Sequence, residues 1–106
     1  MTTPMFASIR KYSAAPKLVD ELLKHQDEIK NVLKPVSGFR AYYLLNTSDG
    51  ALSLTVCENR AGAEESNRVA STWLKANLPT FASPAPEVTV GEVRIHLNGQ
   101  LAKVGV

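Results

Sequence analysis

The shortages in this chain are as informative as its contents. One cysteine, Cys57, and two histidines, His25 and His96, are spread through 106 residues. A lone cysteine excludes an internal disulfide framework and fits a reducing compartment, so a cytoplasmic location is expected. His25, Cys57 and His96 lie far apart in sequence with no close-spaced ligand pair, and no metal site is expected. Gly62 stands alone rather than in a phosphate-cradling loop, and no other cofactor motif occurs. Twelve basic residues against ten acidic ones, without a Lys/Arg cluster, give no preference for nucleic acid or an anionic membrane. No apolar run approaches the length of a membrane span. Residues 1–4 are short and polar, without the basic and apolar regions of a secretory leader.

What remains is ordinary globular composition, 44% hydrophobic and 21% charged, enough for one domain over 1–106. Residues 5–12 alternate as a strand, with Met5, Ala7 and Ile9 on one side and Phe6, Ser8, Arg10 and Tyr12 on the other. Pro16 suits a first helical position, and Leu18, Val19, Leu22, Ile29 and Leu33 make an apolar stripe over 16–34. Pro35 closes that helix. Strands over 39–47 and 51–58 follow, joined by Ser48-Asp49-Gly50, a hairpin signal that predicts a positive φ at Gly50. Asn59 is the expected N-cap of a second helix and Pro79 its end. A proline-rich loop over 79–86 leads to a last strand over 87–97, where Gly91 marks a candidate bulge, and 98–106 reads as a tail.

The order is βαββαβ. Right-handed crossovers then give an α+β, ferredoxin-like domain, a four-stranded antiparallel sheet with two helices on one face. Leu52, Leu54 and Val56 form a clearly apolar face of the third strand. Ser8, Arg10, Tyr12, Arg40, Tyr42, Ser53, Thr55 and Cys57, with Glu92, Arg94 and His96, give the mixed face expected of a solvated surface or a polar dimer interface. Phe6, Tyr12, Tyr42 and Leu44 are expected toward a second copy of the chain. A slip of one residue exchanges the two faces.

The second helix gathers Ala63, Ser66, Asn67, Ala70, Trp73, Leu74, Asn77 and Phe81 on its inward side. Small, amide and indole groups alternate there, where a purely structural helix would carry Leu, Ile and Val. Asn67 and Trp73 therefore stand out as flanks of a recess centred on Ala63 and Ala70. Trp73 is read either as core or as a ligand platform, and Asn67 as bonding backbone or a ligand. Ser66 and Asn77 are lesser candidates, and His25 sits at the margin of the first helix's stripe. Cys57 has no neighbouring motif to activate its thiol.

The turn Pro35-Val36-Ser37-Gly38-Phe39-Arg40 with Ala41-Tyr42-Tyr43, the strand end Glu58-Asn59-Arg60-Ala61-Gly62-Ala63, Asn67 and Trp73, and Gly91-Glu92-Val93 carry a family resemblance. Over about residues 5–97 the chain resembles the dimeric α/β-barrel superfamily, near its antibiotic-biosynthesis-monooxygenase-like (ABM-like) group. The resemblance implies a homodimer with a pocket between each sheet and its helices. It also implies a cofactor-independent monooxygenase acting on a small aromatic or polyketide-like compound, with Asn67 and Trp73 as catalytic candidates and Ser66, Ala70, Asn77 and His25 lining the ligand. The alternative is a non-catalytic dimeric module that binds a small ligand or only assembles. Haem-degrading relatives carry an Asn on the first strand and a His on the second helix, and this chain has neither.

Overall fold

The computed structural model describes residues 4–97, so residues 98–106, read as a tail, lie outside it, as do the first three. The elements run β1 (Met5–Tyr12), α1 (Leu18–Leu23), α2 (Gln26–Leu33), β2 (Phe39–Asn46), β3 (Ala51–Cys57), α3 (Arg60–Asn77), a 3-10 turn (Pro79–Phe81) and β4 (Glu87–Val93). The sheet is antiparallel in the order β2-β3-β1-β4. α3 crosses β1, β3 and β4, α2 packs beside α3, and α1 lies toward β2. This is the expected ferredoxin-like fold.

The first helix is two. At Lys24 and His25 the chain tightens to bonds from Lys24 N to Glu21 O and from His25 N to Leu22 O, and His25 leaves helical geometry at φ −119°. Neither Pro nor Gly marks the spot. The His25 ring bonds Glu28 and packs edge-on against Trp73, 5.3 Å between ring centres, which fixes the new direction of α2. The last strand is shorter than expected: β4 stops at Val93, so Arg94 and His96 belong to neither sheet face. Gly91 pairs in register with Ala7, and the irregularity in the sheet is instead at Arg40, between Phe39 and Ala41.

The sheet faces are the reverse of the hydrophobic expectation. Ser8, Arg10 and Tyr12 of β1, with Ala51, Ser53, Thr55 and Cys57 of β3, are buried beneath the helices. Phe6, Tyr42 and Leu44 share that covered side and pack on the core. Ala7, Ile9, Leu52, Leu54 and Val56 point away and stay partly exposed, beside Tyr43 and Leu45 at 55% and 48% exposure. The helices bring their own apolar side chains, so the sheet does not have to supply the core alone. One cluster joins Leu18, Val19, Leu22 and Leu74 to Tyr12 and Ala51; another joins Leu33, Val36 and Ala63 to Cys57. The polar side chains of β1 and β3 run as a seam between the two.

Gly50 has no positive φ, contrary to the hairpin reading. It is needed for another reason: a Cβ there would lie 1.9 Å from the Tyr12 carbonyl oxygen, where β3 begins beside the end of β1. Gly50→Ala is therefore expected to cost about 1–3 kcal/mol, the usual penalty of forcing atoms into a filled site. Gly91→Ala, whose Cβ would meet nothing within 4 Å, should change stability far less. Urea unfolding of the two variants checks this; equal midpoints would mean that the strand junction yields.

Candidate functional site

α3 begins where Asn59 Oδ1 accepts the Gly62 N–H at 2.6 Å, the expected N-cap. Its covered side is built from small residues. Gly62, Ala63 and Ser66 are buried and Ala70 partly so, which lets the helix axis lie close to the sheet. Into that narrow space rises the longest polar side chain of β1. Arg10 is 2% exposed.

Its guanidinium is fully occupied, and every partner is neutral. Nε donates to Ser53 Oγ at 3.0 Å and Nη2 to Thr55 Oγ1 at 2.6 Å. Nη1 donates to Asn67 Oδ1 at 2.8 Å and Ser66 Oγ at 3.3 Å, with Ser8 Oγ at 3.5 Å. The Ser8 hydroxyl donates to the same Asn67 oxygen, and Ser66 donates to the Ala63 carbonyl at 2.6 Å. The Tyr12 phenol lies close to Arg10, and that of Tyr42 close to Ser53. No buried side-chain nitrogen or oxygen among the described residues lacks a partner. Among the described residues, however, the charge has no counter-charge. The ion pairs among the described residues, Lys24–Glu21, His25–Glu28, Arg40–Glu58, Arg60–Glu64 and Arg68–Glu65, all lie toward solvent.

Burial pulls the Arg10 guanidinium below its ordinary value, partly offset by Tyr12 and Tyr42. Burial pushes both phenols up, and the nearby guanidinium moderates the rise. It also pushes up the Cys57 thiol. A cation held in a weakly polarisable interior keeps its field, because little water is present to screen it.

Arg10, Tyr12, Tyr42 and Ser53 form the sheet-side floor of a cavity of about 40 Å³. Its remaining walls are apolar, from Leu18 and Leu22 of α1, Ile29, Val32 and Leu33 of α2, and Ala70, Trp73 and Leu74 of α3. The volume suits about three waters, one probe sphere needing roughly 10–15 Å³. Outside it, a groove of about 690 Å³ between α2 and β2 shares Leu22, Ile29, Leu33 and Tyr42 with the cavity.

The candidates read from sequence are divided by this geometry. Ala70 and Trp73 do line the recess. Ser66 and Asn67 belong to the Arg10 network, and Asn67 opens instead onto a groove of about 320 Å³ between α3, β4 and the proline-rich loop, which shares Arg10, Tyr12 and Leu74 with the cavity. Asn77 is exposed and bonds the Trp73 carbonyl within its own helix, so it does not face inward. His25 stands behind Trp73, bonded to Glu28, outside the cavity wall. Arg10, Tyr12, Tyr42 and Ser53 were assigned by pattern to an open or partner-facing surface. The available signal was the run of short hydroxyl residues at Ser8, Ser53 and Thr55, which leaves room for one long side chain among them.

No protein-family model matches the sequence, and no match to a curated protein reaches significance. Solved structures do match. A protein of unknown function from Nitrosomonas europaea aligns with TM-score 0.68 at 18% identity, over 92% of this chain and 96% of that one. A monooxygenase of Streptomyces coelicolor from the gene ActVA-Orf6, solved with nanaomycin D, gives 0.63 at 13% identity, over 92% and 93%. A dimeric ferredoxin-like protein from an uncultured marine organism gives 0.53 at 12% identity, over 92% and 95%. The ferredoxin-like fold of this chain is the one these structures share. At these identities the likeness is one of fold.

Two outcomes follow from the network. Asn67→Ala strips a bond from a buried cation and is expected to cost about 1–3 kcal/mol in urea unfolding; an unchanged midpoint would mean that Arg10 does not depend on the amide. The raised phenols give an alkaline signature. Above the ordinary tyrosine value near 10, the unfolded chain releases protons that folded Tyr12 and Tyr42 still hold. Stability is thus intact below that pH and is lost as pH climbs toward the higher folded values. The Tyr12→Phe, Tyr42→Phe double variant should lose less between neutral and alkaline pH than wild type; parallel losses would contradict the assignment.

Proposed function

We propose that this chain is a cofactor-independent monooxygenase-like protein acting on a small aromatic or polyketide-like compound bound between α3 and the sheet. The observation that carries the reading is the cavity itself: an apolar chamber walled by Ala70 and Trp73 whose polar groups are gathered on one side. Trp73 and the leucines offer a surface for a planar ring, while the floor offers hydrogen bonds to its oxygens. With such a ring held in place, the reaction oxidises a phenol to a quinone: one atom of dioxygen turns a ring C–H into C=O, the phenol C–OH becomes the second C=O, and the two hydrogens leave with the other oxygen atom as water. The fold shared with the Streptomyces monooxygenase supports the class. Asn67, tied into the Arg10 network, acts as a positioning residue for the floor.

The resting volume of about 40 Å³ favours a second reading in one respect, because it is smaller than any aromatic ring system. A ligand must part Tyr42 from Ile29, Leu22 and Leu33 and extend into the outer groove. If that opening does not occur, the chain is a non-catalytic assembly module.

Trp73 is the sole tryptophan, so its fluorescence reports on the chamber directly. Naphthols should quench it, and Ala70→Leu should abolish the quenching while the chain stays folded. An oxygen electrode then separates the classes: uptake with a hydroxynaphthalene supports the oxygenase, and binding without uptake supports the module. Quenching that survives Ala70→Leu would put the ligand elsewhere.

The uncovered face of the sheet supports a homodimer, formed through Ile9, Leu52, Leu54 and Val56 rather than through the polar face. Sedimentation equilibrium should give twice the 11.5 kDa chain mass, and Leu54→Glu should shift it to monomer. A wild-type monomer at micromolar concentration would contradict this arrangement.

A further inference from the structure

The floor of the chamber has a property that a neutral aromatic ligand would leave unused. Among the described residues, Arg10 is the only charged side chain that lines the cavity, and its partners there are hydroxyls and an amide. Burying a cation without an anion is unfavourable even when each N–H is bonded, because neutral dipoles replace only part of the lost hydration. A structural cross-link between β1, β3 and α3 has no need of such a charge. An incoming anion would find its counter-charge already desolvated and aimed.

We infer that the chamber takes its ligand as a planar oxyanion, an aromatic carboxylate or an acidic phenol ionised at neutral pH, whose negative oxygen sits against Arg10. This rests on the small-molecule reading above and narrows it to one charge class. Tyr12 is two residues from Arg10 on the same covered face of β1, and Tyr42 comes from β2, two strands away in the sheet order. Both line the cavity beside the guanidinium. A phenolic hydroxyl beside the guanidinium can donate to an oxyanion. The anion thereby meets two neutral donors within the field of a guanidinium whose own N–H groups keep their present partners. Charge-assisted bonds of this kind are about twice as strong as neutral ones. The small chamber holds the oxygen-bearing end of such a ligand, and its ring extends past Tyr42 into the groove between α2 and β2.

Calorimetric titration of the wild-type chain with matched probes tests this without relying on any variant. One arm compares 2-naphthoate with 2-naphthamide, and the other compares 4-nitrophenol, above and below its own pKa, with 4-nitroanisole. At least about tenfold tighter binding of the anion in either arm is expected, equivalent to about 1.4 kcal/mol. The arm that responds identifies the oxyanion as carboxylate or phenolate. Arg10→Lys should keep the preference for the anion, and Arg10→Met should abolish it. Should Arg10→Met fail to fold, Tyr12→Phe serves in its place and should reduce the preference. Equal binding of charged and neutral partners would overturn the anion assignment and leave the aromatic chamber standing. Binding of none of the four probes would overturn the chamber and the assignment together.

Discussion

The structure depends on where one arginine goes. Arg10 sits in the middle of β1 and points under the helices. Its guanidinium can be accommodated only if its neighbours are short and carry oxygen. Ser53 and Thr55 across the strand pair, Ser8 on the same strand, and Ser66 and Asn67 on α3 meet that need. These bonds tie both central strands to the long helix. They also decide which face of the sheet turns inward. Once Ser8, Arg10 and Tyr12 face the helices, pleat alternation sends Ala7 and Ile9 outward, and the pairing with β3 sends Leu52, Leu54 and Val56 with them. A single buried charge thus accounts for the polar seam through the core and for the apolar surface opposite.

This is also where the sequence was hardest to read. The strands, the hairpin, the Asn59 cap and the Pro79 stop are local, and each follows from backbone preferences of a few adjacent residues. The ferredoxin-like order then follows from connection rules. Face assignment is not local. Hydrophobic alternation puts Leu52, Leu54 and Val56 in the core, and that argument fails when helices carry enough apolar surface themselves. The break at Lys24 and His25 was equally hidden, because it rests on the side-chain contacts of His25 with Trp73 and Glu28. For Gly50 the sequence marked the right residue, while the reason, contact with the Tyr12 carbonyl, lies in the approach of two strands. At the site, Ala70 and Trp73 were legible from helical spacing. Arg10, Tyr12 and Tyr42 were not, since a strand alternating with charge and hydroxyl looks the same whether solvent or a helix lies over it.

The proposed function grows from the same interaction. A guanidinium sealed among neutral groups gives the chamber a directed positive field, and its apolar walls preserve that field. The shared fold supplies a framework in which a pocket between sheet and helices is available. This chain's own contribution is the polar floor built on β1, β2 and β3. On the proposed reading, a ligand reaches the narrow cavity from the wider groove beyond Tyr42 by displacing side chains of α2 and β2.

The central claim, that Arg10 is buried and bonded beneath α3, is most directly tested by hydrogen exchange at its own side chain. The Nε–H donated to Ser53 should give a resolved nitrogen–proton NMR signal, assigned by its loss in Arg10→Lys. Its exchange with solvent should be slower by orders of magnitude than that of Arg40, Arg60 and Arg68, which lie at the surface. Exchange of Arg10 at the rate of those surface arginines would contradict the account, because it would place the guanidinium in water and turn the other face of the sheet toward the helices.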